Sequence, residues 1–213
     1  MNWQLPNQLT VGRIVLAGGF FVLLGLYEPA APWGRAVLNA AFVVYLIAGI
    51  TDVLDGYLAR KMNLATAFGR IADPFVDKVL VVGAFAMLTG SNFILPAVAG
   101  LEHDLPRWLT GNMASSIQAW MVVAILAREF VVSAVRGYSE SQGMTFPATP
   151  AGKIKMFVQS AAICTVLFQL ANFPGAVWAI YLKIALAWAA VIVTVLSGLA
   201  YVGKARHVLR HGK

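Results

Sequence analysis

The stretch DVLDGYLARKMNLATAFGRIADPFVD, from Asp52 to Asp77, decides how the rest of the chain is read. The protein has nine acidic residues, and four of them, Asp52, Asp55, Asp73 and Asp77, fall inside this stretch. Long apolar runs flank it, Arg35–Ile50 before and Val79–Leu88 after. On insertion scales an aspartate at the centre of a bilayer costs roughly 2.5–3.5 kcal/mol. Four unpaired ones would cost about 10 kcal/mol, comparable to the whole stability of an ordinary fold, about 5–15 kcal/mol. Something cationic must sit among them.

The spacing says how. Residues three and four apart share a helix face. Asp52, Asp55, Gly56 and Ala59 therefore line one side of a first helix, and Gly69, Asp73 and Asp77 one side of a second. The polar link Arg60–Thr66 lets the two run antiparallel, so that the carboxylate pairs converge. Oxygen donors with no His or Cys beside them suit Mg²⁺, Mn²⁺ or Ca²⁺ rather than zinc. The plainer alternative is a carboxylate network paired with Arg60, Arg70 and Lys78. The small residues Gly56, Ala59 and Gly69 beside the acids favour the site, because they let a flat group approach the backbone.

Composition sets the frame. Hydrophobic residues make up 60% of the 213 positions, charged residues 12%, and the mean hydropathy is +0.75. That profile belongs to polytopic membrane proteins. The expected architecture is all-α, one domain over residues 1–213 with six transmembrane helices near 10–27, 36–59, 70–88, 119–135, 151–171 and 176–201. Residues 1–9, with Trp3, read as an interfacial segment, and 202–213 as a basic tail on the membrane surface. No cleavable signal peptide is expected. Pro74, following Asp73, predicts a local kink. The net charge of +7 is scattered between spans rather than gathered in a patch, which argues against nucleic acid and for orientation and anionic head groups. Cys164 is alone and excludes an internal disulfide.

With six spans, the side holding both termini would carry Arg13, Arg60, Lys61, Arg70, Arg136, Lys153, Lys155 and the basic tail, the other side Arg35 and Arg107. Both termini, and the mouth of the aspartate cluster, are therefore expected in the cytoplasm.

The pattern Asp52-x2-Asp55-Gly56-x2-Ala59-Arg60-x8-Gly69-x3-Asp73-x3-Asp77 resembles the complete signature of the CDP-alcohol phosphotransferases, integral membrane enzymes that move a phosphatidyl or similar group from a CDP-linked donor to an alcohol. The resemblance implies that Asp52, Asp55, Asp73 and Asp77 hold metal, two Mg²⁺ ions with Mn²⁺ as substitute. It makes Asp77 also the acceptor of the alcohol's proton, a distinction the residues alone do not supply. It places Gly56 and Thr66 against the CDP part of the donor, with Ala59 and Gly69 leaving room beside it and Arg60, at the mouth of the pocket, adding a charge-assisted contact to its diphosphate. Asn7 and Thr10 would touch its diphosphate and lipid head, although on sequence alone a helix N-cap is the better reading of either. It further implies a homodimer.

The acceptor is a separate question. Arg128 is a costly charge inside the fourth span. Its neighbour Glu129 points about 100° away around the helix, so simple pairing between them is not expected. Arg128, Arg136 and Lys153 converging near the aspartates would suit an acceptor that itself carries phosphate. The alternatives are that Arg128 pairs with a span acid and that the other two are positive-inside anchors. The segments Leu5-Pro6-Asn7-x-Leu9-Thr10-x2-Arg13, Ala127-Arg128-Glu129-x3-Ser133-x2-Arg136 and Gly152-Lys153-x-Lys155 resemble bacterial phosphatidylglycerophosphate synthases. That resemblance implies CDP-diacylglycerol as donor, sn-glycerol 3-phosphate as acceptor, CMP as leaving product and a bacterial cytoplasmic membrane as location. Rivals in the superfamily are a cardiolipin synthase using phosphatidylglycerol and an inositol-phosphate transferase. A rival of another class, a cation or proton transporter, would spread its acids over several depths and leave the small residues unexplained. The connection at 89–118, with His103 between two acids, reads as a solvated loop with no assigned chemistry.

Overall fold

Helix ends fall where the sequence supplies stops. Residues preceding proline are pushed out of the helical region, and the chain turns at Glu28-Pro29 and again at Phe173-Pro174. Proline is tolerated in the first turn, where its missing N–H has no partner to lose. Pro6 and Pro150 sit there. The computed structural model describes residues 5–62, 67–94, 112–142 and 150–211. Among them run six α-helices: α1 (Leu5–Leu26), α2 (Gly34–Met62), α3 (Ala67–Met87), α4 (Ala119–Ser141), α5 (Pro150–Asn172) and α6 (Val177–His211). A 3-10 turn covers Ser91–Phe93, and the extended pairing among the described residues is one antiparallel bridge, Ile94 to Met113. The fold is all-helical, as expected. α3 continues unbroken through Pro74, and α6 carries the helix ten residues past the expected end of the last span.

α1 packs on α2 and on α3, and α5 also packs on both. α6 lies against α5 and α4, and α4 touches α3. The core between them is built from Phe20 and Leu24, Ala41 and Tyr45, Leu80 and Phe85, Met121 and Ile125, Ile163 and Leu167, Ala187 and Val191. α1 and α3 come close because Gly83 has no side chain: a Cβ there would meet the Phe21 ring at 2.6 Å.

The outer surface is apolar. Val15, Val53, Phe157 and Leu199 are 65–76% exposed, and an envelope of this kind marks a membrane-facing surface. Gly34–Leu54, Gly152–Asn172 and Val177–Gly203 are long and apolar enough to cross a bilayer, with a shorter apolar run at Thr10–Leu26. α3 and α4 fall short of that standard because they carry Arg70, Asp73, Asp77 and Lys78, and Arg128, Glu129 and Arg136. The chain is a multi-pass membrane protein. In lipid, apolar burial contributes little to helix association, so close packing and interhelical hydrogen bonds, about 0.6 kcal/mol each on average, matter more. Tyr45 on α2 donates to Ser160 on α5 at 3.2 Å, and Gln159 on α5 to Thr194 on α6 at 2.8 Å.

The two ends of the bundle differ. At one, Arg35 donates to Asn172 at 3.1 Å, Asn172 to Asn39 at 2.8 Å, Asn92 to the Gly25 carbonyl at 3.2 Å and buried Lys183 to the Ala114 carbonyl at 2.6 Å. These contacts tie the helices together at this end of the bundle. The other end gathers the starts of α1, α3 and α5 and the later turns of α2, α4 and α6. Most of the other charged residues among those described collect there.

Candidate active site

On α4, Arg128 and Glu129 are nine-tenths buried side by side. Contrary to the expectation from helix angles, they pair: Arg128 Nη1 donates to Glu129 Oε1 at 3.1 Å. A guanidinium on three methylenes reaches around the helix, which the Cβ direction alone does not reveal. Glu129 Oε1 also accepts from Lys155 Nζ on α5 at 2.5 Å. Buried charge is tolerated only when paired and hydrogen-bonded, and one carboxylate here serves two cations. Arg128 Nε remains buried without a hydrogen-bond partner among the described residues.

α3 joins this group through Lys78, whose Nζ donates to Ser133 Oγ at 2.5 Å, and that hydroxyl donates to the Glu129 carbonyl at 2.7 Å. Between α3, α4, α5 and α6 lies a cavity of about 250 Å³. Asp77, Lys78, Arg128, Glu129, Ser133, Arg136, Lys153, Lys155, Gln159 and Tyr201 are among its lining residues. Five basic side chains face two carboxylates, so the cavity suits a small, strongly anionic molecule. The expected trio Arg128, Arg136 and Lys153 is thus brought together, with Asp77 in the same wall.

At the neighbouring corner α1 meets α2. Arg13, 1% exposed, places Nη1 2.7 Å from Asp52 Oδ1, whose side chain is 32% exposed. Thr10 is buried one turn earlier on α1. A cation does sit beside the first of the aspartates, and among the described residues it comes from the first helix, a partner the sequence did not suggest. Asp55, Gly56, Ala59 and Arg60 fall in the last turns of α2, Gly69 and Asp73 in the first turns of α3, and Asn7 in the first turn of α1. Their side chains lie outside the described residues, as does Thr66 altogether. Of the 89–118 connection, 95–111 lies outside too, His103 included.

Sequence reasoning did not name Arg13, Lys78, Glu129, Ser133, Lys155, Gln159 or Tyr201 as site residues. For Lys155 the signal was misleading. Two positions from Lys153 on a helix means opposite sides, yet in the first turns of α5 both line the cavity, one buried and one exposed. For Glu129 a signal was present but unused: a carboxylate inside an apolar helix needs cations, and the structure supplies Arg128 and Lys155.

No group of three or more His, Cys, Asp or Glu side chains fit to hold a metal occurs among the described residues, and Asp55 and Asp73 are not among those. The donor chemistry nevertheless fits a hard divalent ion. Asp52 and Asp77 belong to the same end of the bundle, supply only carboxylate oxygens, and have neither His nor Cys among their described partners.

The sequence matches the family model described as CDP-alcohol phosphatidyltransferase over residues 3–196. It is 34% identical over 218 residues to a Bacillus subtilis (strain 168) protein, covering 95% of each chain, and that protein is named CDP-diacylglycerol--glycerol-3-phosphate 3-phosphatidyltransferase. An Escherichia coli (strain K12) protein of the same name is 33% identical over 208 residues, 97% of each chain. A match spanning nearly the whole chain and all six helices settles the family: the chain belongs to the CDP-alcohol phosphatidyltransferases.

Proposed function

We propose that this chain transfers the phosphatidyl group of CDP-diacylglycerol to sn-glycerol 3-phosphate, giving phosphatidylglycerophosphate and CMP. The observation that carries the reading is the cavity in which Asp77 shares its walls with Lys78, Arg128, Arg136, Lys153 and Lys155. An acceptor that brings its own phosphate needs several cations close to the base that deprotonates it. The names of the relatives agree with that chemistry.

In this reading the glycerol 3-phosphate monoester lies against Arg128, Arg136 and Lys153, which hold its free hydroxyl toward Asp77. Asp77 takes the hydroxyl proton as the oxygen attacks the phosphorus that bears the diacylglycerol. The new P–O bond forms, the P–O bond to CMP breaks, and CMP leaves with the electron pair. General-base assistance of this kind contributes about 10²–10⁴-fold. Asn7, Thr10, Gly56, Ala59, Arg60, Thr66 and Gly69 hold the donor, with Arg60 adding a charge-assisted contact to its diphosphate. Asp52, Asp55, Asp73 and Asp77 would hold two Mg²⁺, or Mn²⁺, whose chemistry is charge neutralisation of the diphosphate and of the leaving phosphate.

The wider assignment is one domain over 1–213 with six spans and both termini in the cytoplasm of a bacterial cell, where nucleotides and polar metabolites reach the site. The Lys and Arg distribution supports that orientation. A homodimer is the expected assembly.

The test uses purified full-length protein in detergent with CDP-diacylglycerol and Mg²⁺, following CMP release with and without glycerol 3-phosphate. Release should require glycerol 3-phosphate and fall by about 10²-fold or more in Asp77→Asn. CMP release that needs a different alcohol would overturn the acceptor, and none with any alcohol or with Mn²⁺ would overturn the reaction.

A further inference from the structure

Arg128 has a neighbour that no motif marks. Gly198 on α6 packs against its side chain so closely that a Cβ on Gly198 would sit 2.8 Å from Arg128 Cγ, 3.8 Å from Cβ and 3.8 Å from Nε. Contacts under 3.0 Å force something to move, and the crowded atom is near the root of the side chain, where rotation swings the whole guanidinium. On its other side Arg128 is held through Nη1 by Glu129 at 3.1 Å. Its Nε is buried and without a partner among the described residues, and a guanidinium held by Glu129 through one of its five N–H groups keeps donors for a ligand. Three residues further along α6, Tyr201 lines the same cavity.

We propose that Gly198 is a positioning residue for the acceptor site: by having no side chain it lets Arg128 lie along α6 and presents the guanidinium to the acceptor's phosphate. The inference rests on the glycerol 3-phosphate reading above. Glu129 fixes one edge of the guanidinium, the bare α6 backbone fixes the stem, and the two together set where an anion can bind. A methyl group at 198 displaces the stem and with it the charge-assisted contact. The donor, held at the other corner of the bundle, is not disturbed.

The experiment compares wild type, Gly198→Ala, Arg128→Ala and the double variant, all full length in the same detergent. For Gly198→Ala, KM for glycerol 3-phosphate should rise about tenfold or more, the loss of one charge-assisted hydrogen bond. KM for CDP-diacylglycerol should stay within about twofold. Alanine is a better helix former than glycine, which offsets part of the cost of moving the stem, so the thermal midpoint should fall less than in Arg128→Ala. In the Arg128→Ala background, adding Gly198→Ala should cost nothing more, because residues acting through one contact are not additive. If wild type responds to glycerol 3-phosphate and Gly198→Ala leaves its KM unchanged, this inference falls alone. An equal penalty in both backgrounds also overturns it, since Gly198 would then act through helix packing. If wild type shows no dependence on glycerol 3-phosphate, the acceptor reading and this one fall together.

Discussion

Arg13 and Asp52 offer the sharpest test of how the bundle tolerates its carboxylates. The guanidinium is 1% exposed, the carboxylate 32%, and the contact is 2.7 Å. Charge centres about 4 Å apart attract by about 4 kcal/mol at an effective dielectric of 20 and about 1 kcal/mol in bulk water. With one partner buried and the other a third exposed, the value falls between these, at about 2 kcal/mol. Arg13→Met keeps the apolar stem and removes the charge, Asp52→Ala removes the other partner, and the double variant closes the cycle. Asp52→Ala should be the costlier single, because the charge it leaves behind is the buried one. Stability would be read by reversible unfolding in mixed micelles of mild detergent and SDS, so that loss of catalysis does not enter. A coupling energy near 2 kcal/mol supports the pair as the device that holds α1 to the end of α2. Single effects that add to within about 0.5 kcal/mol, the ordinary range for independent sites, would refute it.

Three further outcomes are expected. Glu129→Gln removes the carboxylate shared by Arg128 and Lys155 and should lower stability by about 3 kcal/mol, the usual cost of breaking a buried pair, measured by the same micelle titration. Arg136→Ala and Lys153→Ala, both at exposed positions of the cavity, should each raise KM for glycerol 3-phosphate several-fold at low ionic strength. The difference from wild type should shrink as salt approaches 1 M, where the Debye length is about 3 Å; steady-state assays across a salt series check it. Chelation should abolish CMP release, and Mg²⁺ added back should restore it, because four carboxylates cannot by themselves neutralise a diphosphate.

The fold was legible because its signals are long and unbroken. Apolar runs bounded by Glu28-Pro29 and Phe173-Pro174 placed the six helices, although α1, α4 and α6 run five to ten residues beyond the expected spans at one end, and the clustering of Asp52, Asp55, Asp73 and Asp77 identified the stretch to examine. What stayed hidden follows from side-chain reach. Angles around a helix describe Cβ directions, but Arg and Lys extend several ångströms beyond them. For that reason Arg128 and Glu129 pair across an angle that seemed to forbid it, and Lys155 joins Lys153 in one cavity. Arg13 escaped for another reason. It was read as an orienting charge, and only the antiparallel packing of α1 on α2 brings position 13 beside position 52. Gly198 carried no signal at all, since its contribution is the absence of a group.

In the proposed reaction the site also has to bring two anionic substrates together where the dielectric is low. The acids singled out by sequence belong to α2 and α3, while the buried and exposed cations of the cavity come largely from α4 and α5. α3 is the seam, because it bears Asp77 and Lys78 in succession. Were Lys78 to fold back on Asp77, it would compete for the oxygens that the proposed proton transfer uses. Instead its ammonium donates to Ser133, and that hydroxyl donates in turn to the Glu129 carbonyl. The cation is committed to α4, and Glu129 in turn commits Arg128 and Lys155. A single chain of hydrogen bonds therefore fixes three of the five cations relative to α3 before any substrate arrives. That arrangement costs no reorganisation when charge develops during transfer, and it makes the contact between Lys78 and Ser133 the joint that holds the basic half of the site against Asp77.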